Sequence, residues 1–296
     1  MQSPDHHTAT TAESSQANDR DRRKLLKATA TGLGVAATAG ISASATLGSN
    51  AAMAHTNPNG RTFVLIHGAW HGGWCWQRVA TALYAKGHKV YAPSLTGLAD
   101  RSHLLSNSIN LDTHIADIVN LFKWEDLRNA VLVAHSYGGW PVSGAIEQLL
   151  DRVSSIVYVD AFMPADGERG FDLTSQNFQQ QLREAVAKGE AGRPVPQGNA
   201  FRILDPKDVA WVASKMTPQP VGVAMQPVRN TAAREKVARK TYIRAPAYPQ
   251  PSFDQYLARC KADSSWRTYS FAPSEAGHDI MVDAPVRLAQ ILMEVA

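Results

Sequence analysis

The sequence contains few cysteines, has only a small excess of positive charge, and has no long run of strongly apolar residues. Its two cysteines, Cys75 and Cys260, lie far apart in the chain, so no disulfide is predicted and two free, buried thiols are expected. No group of Cys and His residues has the spacing of zinc ligands, so no metal site is predicted. The net charge is +4, and no dense run of Lys and Arg follows residue 54, which argues against a nucleic-acid partner.

The first 54 residues have the pattern of an export signal rather than of a folded segment. Arg22 and Arg23 precede a weakly apolar stretch rich in Ala, Thr and Gly, and Ala52 and Ala54 form an A-x-A cleavage site. A transmembrane anchor and a disordered tail are the alternatives, but the many Thr, Ser and Gly residues suit a bilayer span poorly. We therefore predict a Tat-type signal over 1–54 and a periplasmic or secreted protein with no stable membrane association after cleavage.

Strand-like and helix-like segments alternate through the rest of the chain. Six strands are predicted, at 61–68, 88–93, 129–135, 154–162, 239–246 and 266–273. The first is a short apolar run that ends in Gly, as is typical of a buried parallel strand. Helical periodicity predicts helices at 76–87, 111–124, 138–150 and 285–295. In the first helix we expect Val79, Leu83 and Tyr84 to face the core. In the last we expect the same of Val286, Leu288, Ile291 and Leu292. This order predicts one α/β domain over 55–296 with a doubly wound, mostly parallel six-stranded sheet.

An insertion of about 165–237 separates the fourth and fifth strands and has no strand pattern. Its clearest helix follows Asp205, which can cap the helix, and starts at Pro206. We expect this insertion to form a helical cap over the carboxyl ends of the strands, where open α/β sheets bind ligands.

The stretch "AHSYGG" places Ser136 between a predicted buried strand and a predicted helix, with Ala134 and Gly138 two residues to either side. So tight a reversal requires small residues at those two positions and lifts the hydroxyl clear of the sheet. This is the pattern of a nucleophile elbow, with alanine in place of its first glycine. Ser136 is therefore the candidate nucleophile.

A serine hydroxyl needs a base to take its proton and N–H donors to stabilise the oxyanion that forms. His278 follows the last predicted strand, where the base of this arrangement belongs, whereas His135 is expected to pack in the core. The backbone N–H groups of Tyr137 and of Ala69, in the glycine-rich loop after the first strand, are the candidate oxyanion donors.

Several motifs together resemble the α/β-hydrolase superfamily: "FVLIHGAWHGGWCW", "KGHKVYAP", "VLVAHSYGG", "IVYVDAFMP" and "GHDIMVDAP". They are similar in particular to the branch of plant methyl-salicylate esterases, hydroxynitrile lyases and related bacterial esterases. The resemblance spans nearly all of the chain after the leader. It implies a six-stranded core, a helical cap and chemistry without a cofactor. It also implies the nucleophile at Ser136, the base at His278 and the oxyanion donors at Ala69 and Tyr137.

The acid of the triad departs from the pattern of the plant relatives. Tyr248 stands about where their aspartate would be expected, and Asp254 follows several residues later. Asp160, at the end of the fourth strand, is the alternative, because some α/β-hydrolases take the acid from this strand and an aspartate in an apolar run is costly unless paired. We prefer Asp160 and keep Asp254 as the second candidate.

These observations predict a serine hydrolase that cleaves small apolar or aryl carboxylic esters. The lyases of the branch typically carry a lysine after the catalytic histidine and a threonine in the first loop, where this chain has Asp279 and Gly68. A lyase and a receptor without catalysis remain the alternatives. Trp70, Trp140 and Trp211 are the aromatic residues expected near the pocket.

Overall fold

The computed structural model describes residues 60–230 and 232–296. The predicted signal at 1–54 lies outside these residues. Their strands are β1 (Thr62–Ile66), β2 (Lys89–Tyr91), β3 (Ala130–His135), β4 (Val153–Val159), β5 (Gly192–Arg193), β6 (Gln219–Pro220), β7 (Arg239–Arg244) and β8 (Trp266–Ser270).

The α-helices flank and connect these strands. They are α1 (Gln77–Tyr84), α2 (Leu111–Trp124), α3 (Gly139–Leu149), α4 (Gln176–Ala187), α5 (Pro206–Lys215), α6 (Gly222–Met225), α7 (Ala233–Lys236), α8 (Pro251–Ala262), α9 (Ile280–Asp283) and α10 (Pro285–Glu294). Within the described part of the chain, no helix has the length and apolar character needed to cross a bilayer.

Six strands form one sheet in the order β2-β1-β3-β4-β7-β8, and every neighbouring pair is parallel. The predicted six-stranded, doubly wound fold is therefore confirmed. The central strand β3 is buried along its whole length, which explains why it is a continuous apolar run. Because all six strands point the same way, the segments that follow β3, β4 and β7 emerge at one edge of the sheet.

Alternate side chains of each strand enter two separate cores, one on each face of the sheet. On one face Leu132 and Ile156 pack with the apolar side of α2 and α3. On the other, Val133 and Val157 pack with α1 and α10. Cys75 lies in the second core and Cys260 in the first, and both are free thiols, as predicted.

Two predicted core positions are wrong. Val286 is 62% exposed, because it lies in the first turn of α10 while Leu288 and Leu292 form the buried side. Tyr84 is 56% exposed, and its hydroxyl donates a hydrogen bond to the Val90 carbonyl oxygen at 2.8 Å. Both errors come from assigning a residue at the margin of an apolar stripe to its centre.

The segment between β4 and β7 contains α4, α5, α6 and α7, and it also contains strands that the sequence did not predict. β5 and β6 pair antiparallel over two residues each, with Arg193 opposite Gln219. Asp205 caps α5 by accepting the Lys207 N–H at 2.8 Å, and Pro206 occupies the first turn, as expected. A bidentate ion pair between Arg78 and Asp208, at 2.7 and 2.6 Å, joins α5 to α1.

Candidate active site

Ser136 lies on a tight turn between β3 and α3 and has a φ of +51°, in the left-handed region that side-chain-bearing residues rarely adopt. A Cβ at Gly138 would approach the His67 carbonyl oxygen to 2.7 Å, so a larger residue does not fit there. Ala134, two residues before the serine, is completely buried in β3. The strained turn and its small neighbours are the features that the sequence pattern predicts for an exposed nucleophile.

A continuous chain of hydrogen bonds connects Ser136, His278 and Asp160. The Ser136 Oγ lies 2.8 Å from His278 Nε2, and His278 Nδ1 lies 2.6 Å from Asp160 Oδ2. A carboxylate only accepts hydrogen bonds, so Nδ1 carries the imidazole proton and Nε2 is left to accept the serine hydroxyl proton. This is the tautomer that a general base for Ser136 requires.

Asp160 is fully buried at the end of β4, with a φ of +43°. Its second oxygen, Oδ1, accepts hydrogen bonds from Arg244 Nη1 at 2.7 Å and from the Ala245 N–H at 3.0 Å. Both carboxylate oxygens therefore have donors, and the negative charge has a buried cationic partner. Such pairing is what allows an aspartate to occupy an apolar strand end.

Asp254, the second candidate acid, does not contact His278. It lies in the first turn of α8 with its side chain 59% exposed, and it accepts a hydrogen bond from Arg244 Nε at 2.9 Å. Arg244 thus bridges the two aspartates, with Asp160 on the buried side. Tyr248, which stands where the plant pattern expects an acid, stacks its ring on the His278 imidazole with centroids 4.1 Å apart.

The two expected oxyanion donors line the same cavity as Ser136. Within residues 60–230 and 232–296, no acceptor takes the backbone N–H of Ala69 or of Tyr137. Gly68 permits the close approach of this loop, since a Cβ there would come within 2.9 Å of the Ser136 Cβ and of His135 Nδ1. Both N–H groups are therefore free to bind an oxygen of a substrate.

A cavity of about 400 Å³ opens above Ser136, between the sheet and the segment that precedes β7. Trp70 and Trp140 line it, as expected. Trp211 does not line it; its ring packs edge-on against Trp74 at 5.1 Å, with Arg78 5.2 Å from its centroid. Further apolar side chains of the lining are Phe162, Leu173, Phe178, Leu182, Phe201, Pro220, Val223, Ala224 and Phe253.

A second buried histidine–aspartate pair lies beside the first. His71 Nε2 contacts Asp279 Oδ2 at 3.0 Å, and His71 Nδ1 contacts the Ala69 carbonyl oxygen at 2.7 Å. Both partners are acceptors, so both ring nitrogens carry protons and His71 is a cation. Burial opposes this charge, but Asp279 raises the pKa of His71 above its ordinary value. Burial likewise opposes ionisation of Asp279, but the His71 cation lowers its pKa to about 2.

Sequence reasoning missed three charged residues of this region: Arg244, His71 and Arg193. A signal was present for Arg244, which is a charged residue within an otherwise buried strand, "RKTYIRAP". His71 and Arg193 carried no such signal, because their partners are distant in the sequence. Among the described residues, no group of three or more His, Cys, Asp or Glu side chains could hold a metal ion.

A parallel sheet of this order, with a serine on the turn after β3 and a histidine after β8, defines an α/β-hydrolase. The model of the alpha/beta hydrolase family matches residues 63–291, and the chain belongs to this family.

Relatives of similar sequence carry esterase names. A carbendazim-hydrolysing esterase from Nocardioides sp. (strain SG-4G) is 32% identical over 240 residues, covering 78% of this chain and 97% of the relative. The putative chloroplastic methylesterase 14 of Arabidopsis thaliana is 26% identical over 252 residues, covering 80% and 72%. Methyl jasmonate esterase 1 of Vitis vinifera is 38% identical over 164 residues, covering 53% and 61%.

Solved structures share the fold. An extracellular α/β-hydrolase from a Paenibacillus species, described as having structural and functional homology to tobacco salicylic acid binding protein 2, superimposes with a TM-score of 0.67. It is 23% identical, and the match covers 80% of this chain and 99% of that one. A methylesterase from Arabidopsis superimposes with a TM-score of 0.58 at 22% identity, covering 79% and 98%.

Proposed function

We propose that this protein is a serine hydrolase that cleaves carboxylic esters of small apolar or aryl substrates through an acyl-enzyme. The observation that carries the proposal is the hydrogen-bonded chain of Ser136, His278 and Asp160 at the base of an aromatic cavity. The esterase names of the relatives support the same class of reaction.

The reaction begins when the Ser136 Oγ attacks the ester carbonyl carbon while His278 Nε2 takes the hydroxyl proton. The oxyanion that forms accepts the backbone N–H groups of Ala69 and Tyr137. The protonated imidazole, stabilised by Asp160, then gives its proton to the leaving alcohol. Water, activated by the same imidazole, attacks the acyl-enzyme and releases the carboxylic acid and free Ser136. No cofactor enters these steps.

Two features of the site disfavour the lyase alternative. Asp279 stands where the lyases of the branch have a lysine, and its carboxylate is paired with His71, so no cation faces a departing cyanide from this position. A Cβ at Gly68, in place of the lyases' threonine, would meet the Ser136 Cβ at 2.9 Å. If the protein is a receptor without catalysis, the arrangement of Ser136, His278 and Asp160 serves binding only. Measurable turnover of an ester distinguishes a hydrolase from such a receptor.

The test is the hydrolysis of p-nitrophenyl acetate by residues 55–296 and by their Ser136→Ala variant. We expect Ser136→Ala to lower kcat by about 10⁶-fold, as removal of the nucleophile does in other serine hydrolases. Ser154→Ala is the matched control, because this partly exposed hydroxyl on β4 bonds only backbone carbonyl oxygens far from the cavity. Turnover retained in Ser136→Ala, or labelling of another residue by a fluorophosphonate, would remove the proposal.

We also propose that residues 1–54 direct export and are removed after Ala54. The support is the twin arginine, the weakly apolar stretch and the A-x-A site. N-terminal sequencing of the exported protein should give His55 as the first residue. A protein that stays in the cytoplasm with residues 1–54 still attached would contradict this proposal.

A further inference from the structure

Among the described residues that line the cavity, one is a permanently charged cation, Arg193, and no carboxylate of residues 60–230 and 232–296 forms an ion pair with it. The residues that line the cavity include no aspartate or glutamate. Glu184 and Glu190 line a neighbouring depression together with Arg193, yet neither forms an ion pair with it. Burial lowers the pKa of Arg193 to about 10, so the guanidinium remains charged at neutral pH. An unbalanced charge in an aromatic cavity is costly unless a ligand supplies its partner.

Aromatic rings hold this guanidinium in place. Its central carbon lies 4.3 Å from the Trp70 ring centroid and 4.5 Å from that of Phe178. Contacts with rings use the faces of the planar group and leave the N–H donors at its edge. The Nε atom is buried and has no hydrogen-bond partner within the described chain.

Gln219 provides a second unused donor beside Arg193. The two residues are direct cross-strand partners in the β5–β6 pair, so their side chains lie on the same face, and both line the cavity. Gln219 is only 2% exposed, and its Oε1 accepts the Trp70 N–H at 2.9 Å, which fixes the orientation of the amide. Its Nε2 then faces no acceptor in the described residues.

We propose that Arg193 and Gln219 form a subsite for a free carboxylate. Among esters with an apolar acyl chain, the preferred substrates are then those that carry a carboxylate at the far end of that chain, which are half-esters of dicarboxylic acids. The ester group lies at Ser136, while the free carboxylate binds the Arg193 guanidinium edge and the Gln219 amide. This inference rests on the proposed esterase function for its chemistry. The charge of Arg193 selects a carboxylate over a neutral carbonyl, because only an anion balances it.

The experiment compares three series of methyl esters of increasing chain length: half-esters with a terminal carboxylate, their terminal carboxamides and simple alkanoates. We expect the wild type to prefer the carboxylate at its best chain length by about 10- to 100-fold in kcat/KM, the usual worth of a charge-assisted hydrogen bond. Arg193→Gln should reduce that preference to about threefold or less, because the cation that selects the carboxylate is removed.

Two variants separate recognition from structure. Gln219→Glu keeps an oxygen for the Trp70 N–H but supplies Arg193 with an internal counter-ion, so it should abolish the preference for the carboxylate in a folded enzyme. Arg183→Gln is the matched control, because Arg183 is an exposed arginine whose guanidinium carbon lies 4.9 Å from the Phe171 ring centroid. It should retain the wild-type preference.

The outcomes distinguish this subsite from the esterase function itself. Wild-type hydrolysis of alkanoates without preference for the carboxylate overturns the subsite alone. An equal loss of kcat/KM on all three series in Arg193→Gln also overturns the subsite, since that result shows that Arg193 only supports the structure of the cavity. If no ester is cleaved, calorimetric titration of the Ser136→Ala variant with the half-esters tests the subsite by itself. Binding of the half-esters that is lost in Ser136→Ala/Arg193→Gln supports the subsite without the esterase function. If Ser136→Ala binds no half-ester, both the subsite and the esterase function are overturned.

Discussion

Asp160 combines a costly backbone conformation with a costly burial, and its neighbours compensate both. The residue has a positive φ and no solvent exposure. Its Oδ1 accepts hydrogen bonds from Arg244 Nη1 and the Ala245 N–H, and its Oδ2 accepts one from His278 Nδ1. Arg244 contributes twice, since it balances the charge of Asp160 and is itself held by Asp254 on the exposed side. The two candidate acids therefore occupy successive positions in one ionic chain, and only the inner one touches His278.

Replacing each aspartate by asparagine separates their roles. Asp160→Asn should lower kcat by about 10⁴-fold, because an amide beside His278 Nδ1 no longer fixes the productive tautomer. Asp254→Asn should lower kcat by no more than a few-fold, because this exposed group reaches the site only through Arg244. The measurement is steady-state hydrolysis of p-nitrophenyl acetate, with circular dichroism to verify folding. Equal losses in the two variants would contradict the assignment of the acid.

Two loops, one after β1 and one after β8, meet through the His71–Asp279 pair. His71 also binds the carbonyl oxygen of Ala69, and Asp279 directly follows His278. The pair therefore fixes the loop of the expected oxyanion donor against the loop of the expected base. Neither residue lines the cavity, so we assign them a positioning role rather than a catalytic one.

Asp279→Asn should destabilise the fold by about 3–5 kcal/mol at pH 6, because it leaves the buried His71 cation without its counter-charge. The pKa of His71 is raised in the folded state, so its stabilising contribution is complete below pH 6.5 and is lost as pH rises through the folded pKa. The cost of Asp279→Asn should therefore be smaller at pH 9 than at pH 6. Urea unfolding at both pH values measures this difference.

The double variant His71→Gln/Asp279→Asn provides the control for this coupling. If the two residues act as one pair, its cost in unfolding free energy should be clearly smaller than the sum of the two single costs. Additive costs, or a cost of Asp279→Asn that does not change with pH, would show that the residues act independently.

The regular elements were predictable from the sequence because their signals are local. The strands β1, β3 and β4 of the large sheet are short, mostly apolar runs, and α2 begins and ends at the predicted residues, Leu111 and Trp124. The β5–β6 pair was not predictable, since two-residue strands have no periodicity and one of them contains Pro220. Side-chain partners such as Arg244 and Asp160 were also missed. They are 84 residues apart, and only the completed sheet brings them together.

In the candidate site, too, residues with a local sequence signal were predictable and residues that depend on long-range packing were not. Ser136 and His278 could be selected because each stands at a position that the strand order assigns to it. The choice between Asp160 and Asp254 stayed open, because it depends on which carboxylate the final packing turns toward His278. Trp211 was placed at the pocket from composition alone, and composition does not give the direction of a side chain.

At the scale of the whole molecule, the interior formed by residues 60–230 and 232–296 contains three buried histidines besides the His71 and His278 pairs. His67 Nδ1 contacts the Gly68 carbonyl oxygen and its Nε2 accepts the Leu95 N–H, so this ring is neutral. His114 likewise contacts the Thr96 carbonyl oxygen with Nε2 and accepts the Tyr137 hydroxyl with Nδ1. His135 contacts the His278 carbonyl oxygen with Nε2. These rings are part of the core as neutral groups.

This set of neutral rings predicts that the protein unfolds in mild acid. Burial lowers the pKa of His67 to about 3 and that of His114 to about 4, and it lowers the pKa of His135 well below its ordinary value. An unfolded chain protonates all three near pH 6.5, so the stability that they contribute is present above pH 6.5 and is lost as pH falls toward the folded pKa values. Below pH 6.5, His71 is protonated in both the folded and the unfolded state and adds no slope. Between pH 7.5 and 6.5 it adds stability as pH falls, because only the folded state keeps it protonated.

Each of these rings should remove about 1.4 kcal/mol of unfolding free energy per pH unit below pH 6, or about 4 kcal/mol together, against a typical total of about 5–15 kcal/mol. Urea unfolding at pH 7.5, 6 and 5 measures this slope. His114→Gln should reduce the slope by about one third, whatever it does to stability at pH 7.5, because one fewer proton is taken up on unfolding.

Asp279 does not enter this range, since its folded pKa of about 2 lies below its ordinary value and its contribution is lost only in stronger acid. A free energy of unfolding that stays constant between pH 6 and 5, or a slope that His114→Gln leaves unchanged, would show that these histidines take up protons without unfolding the chain.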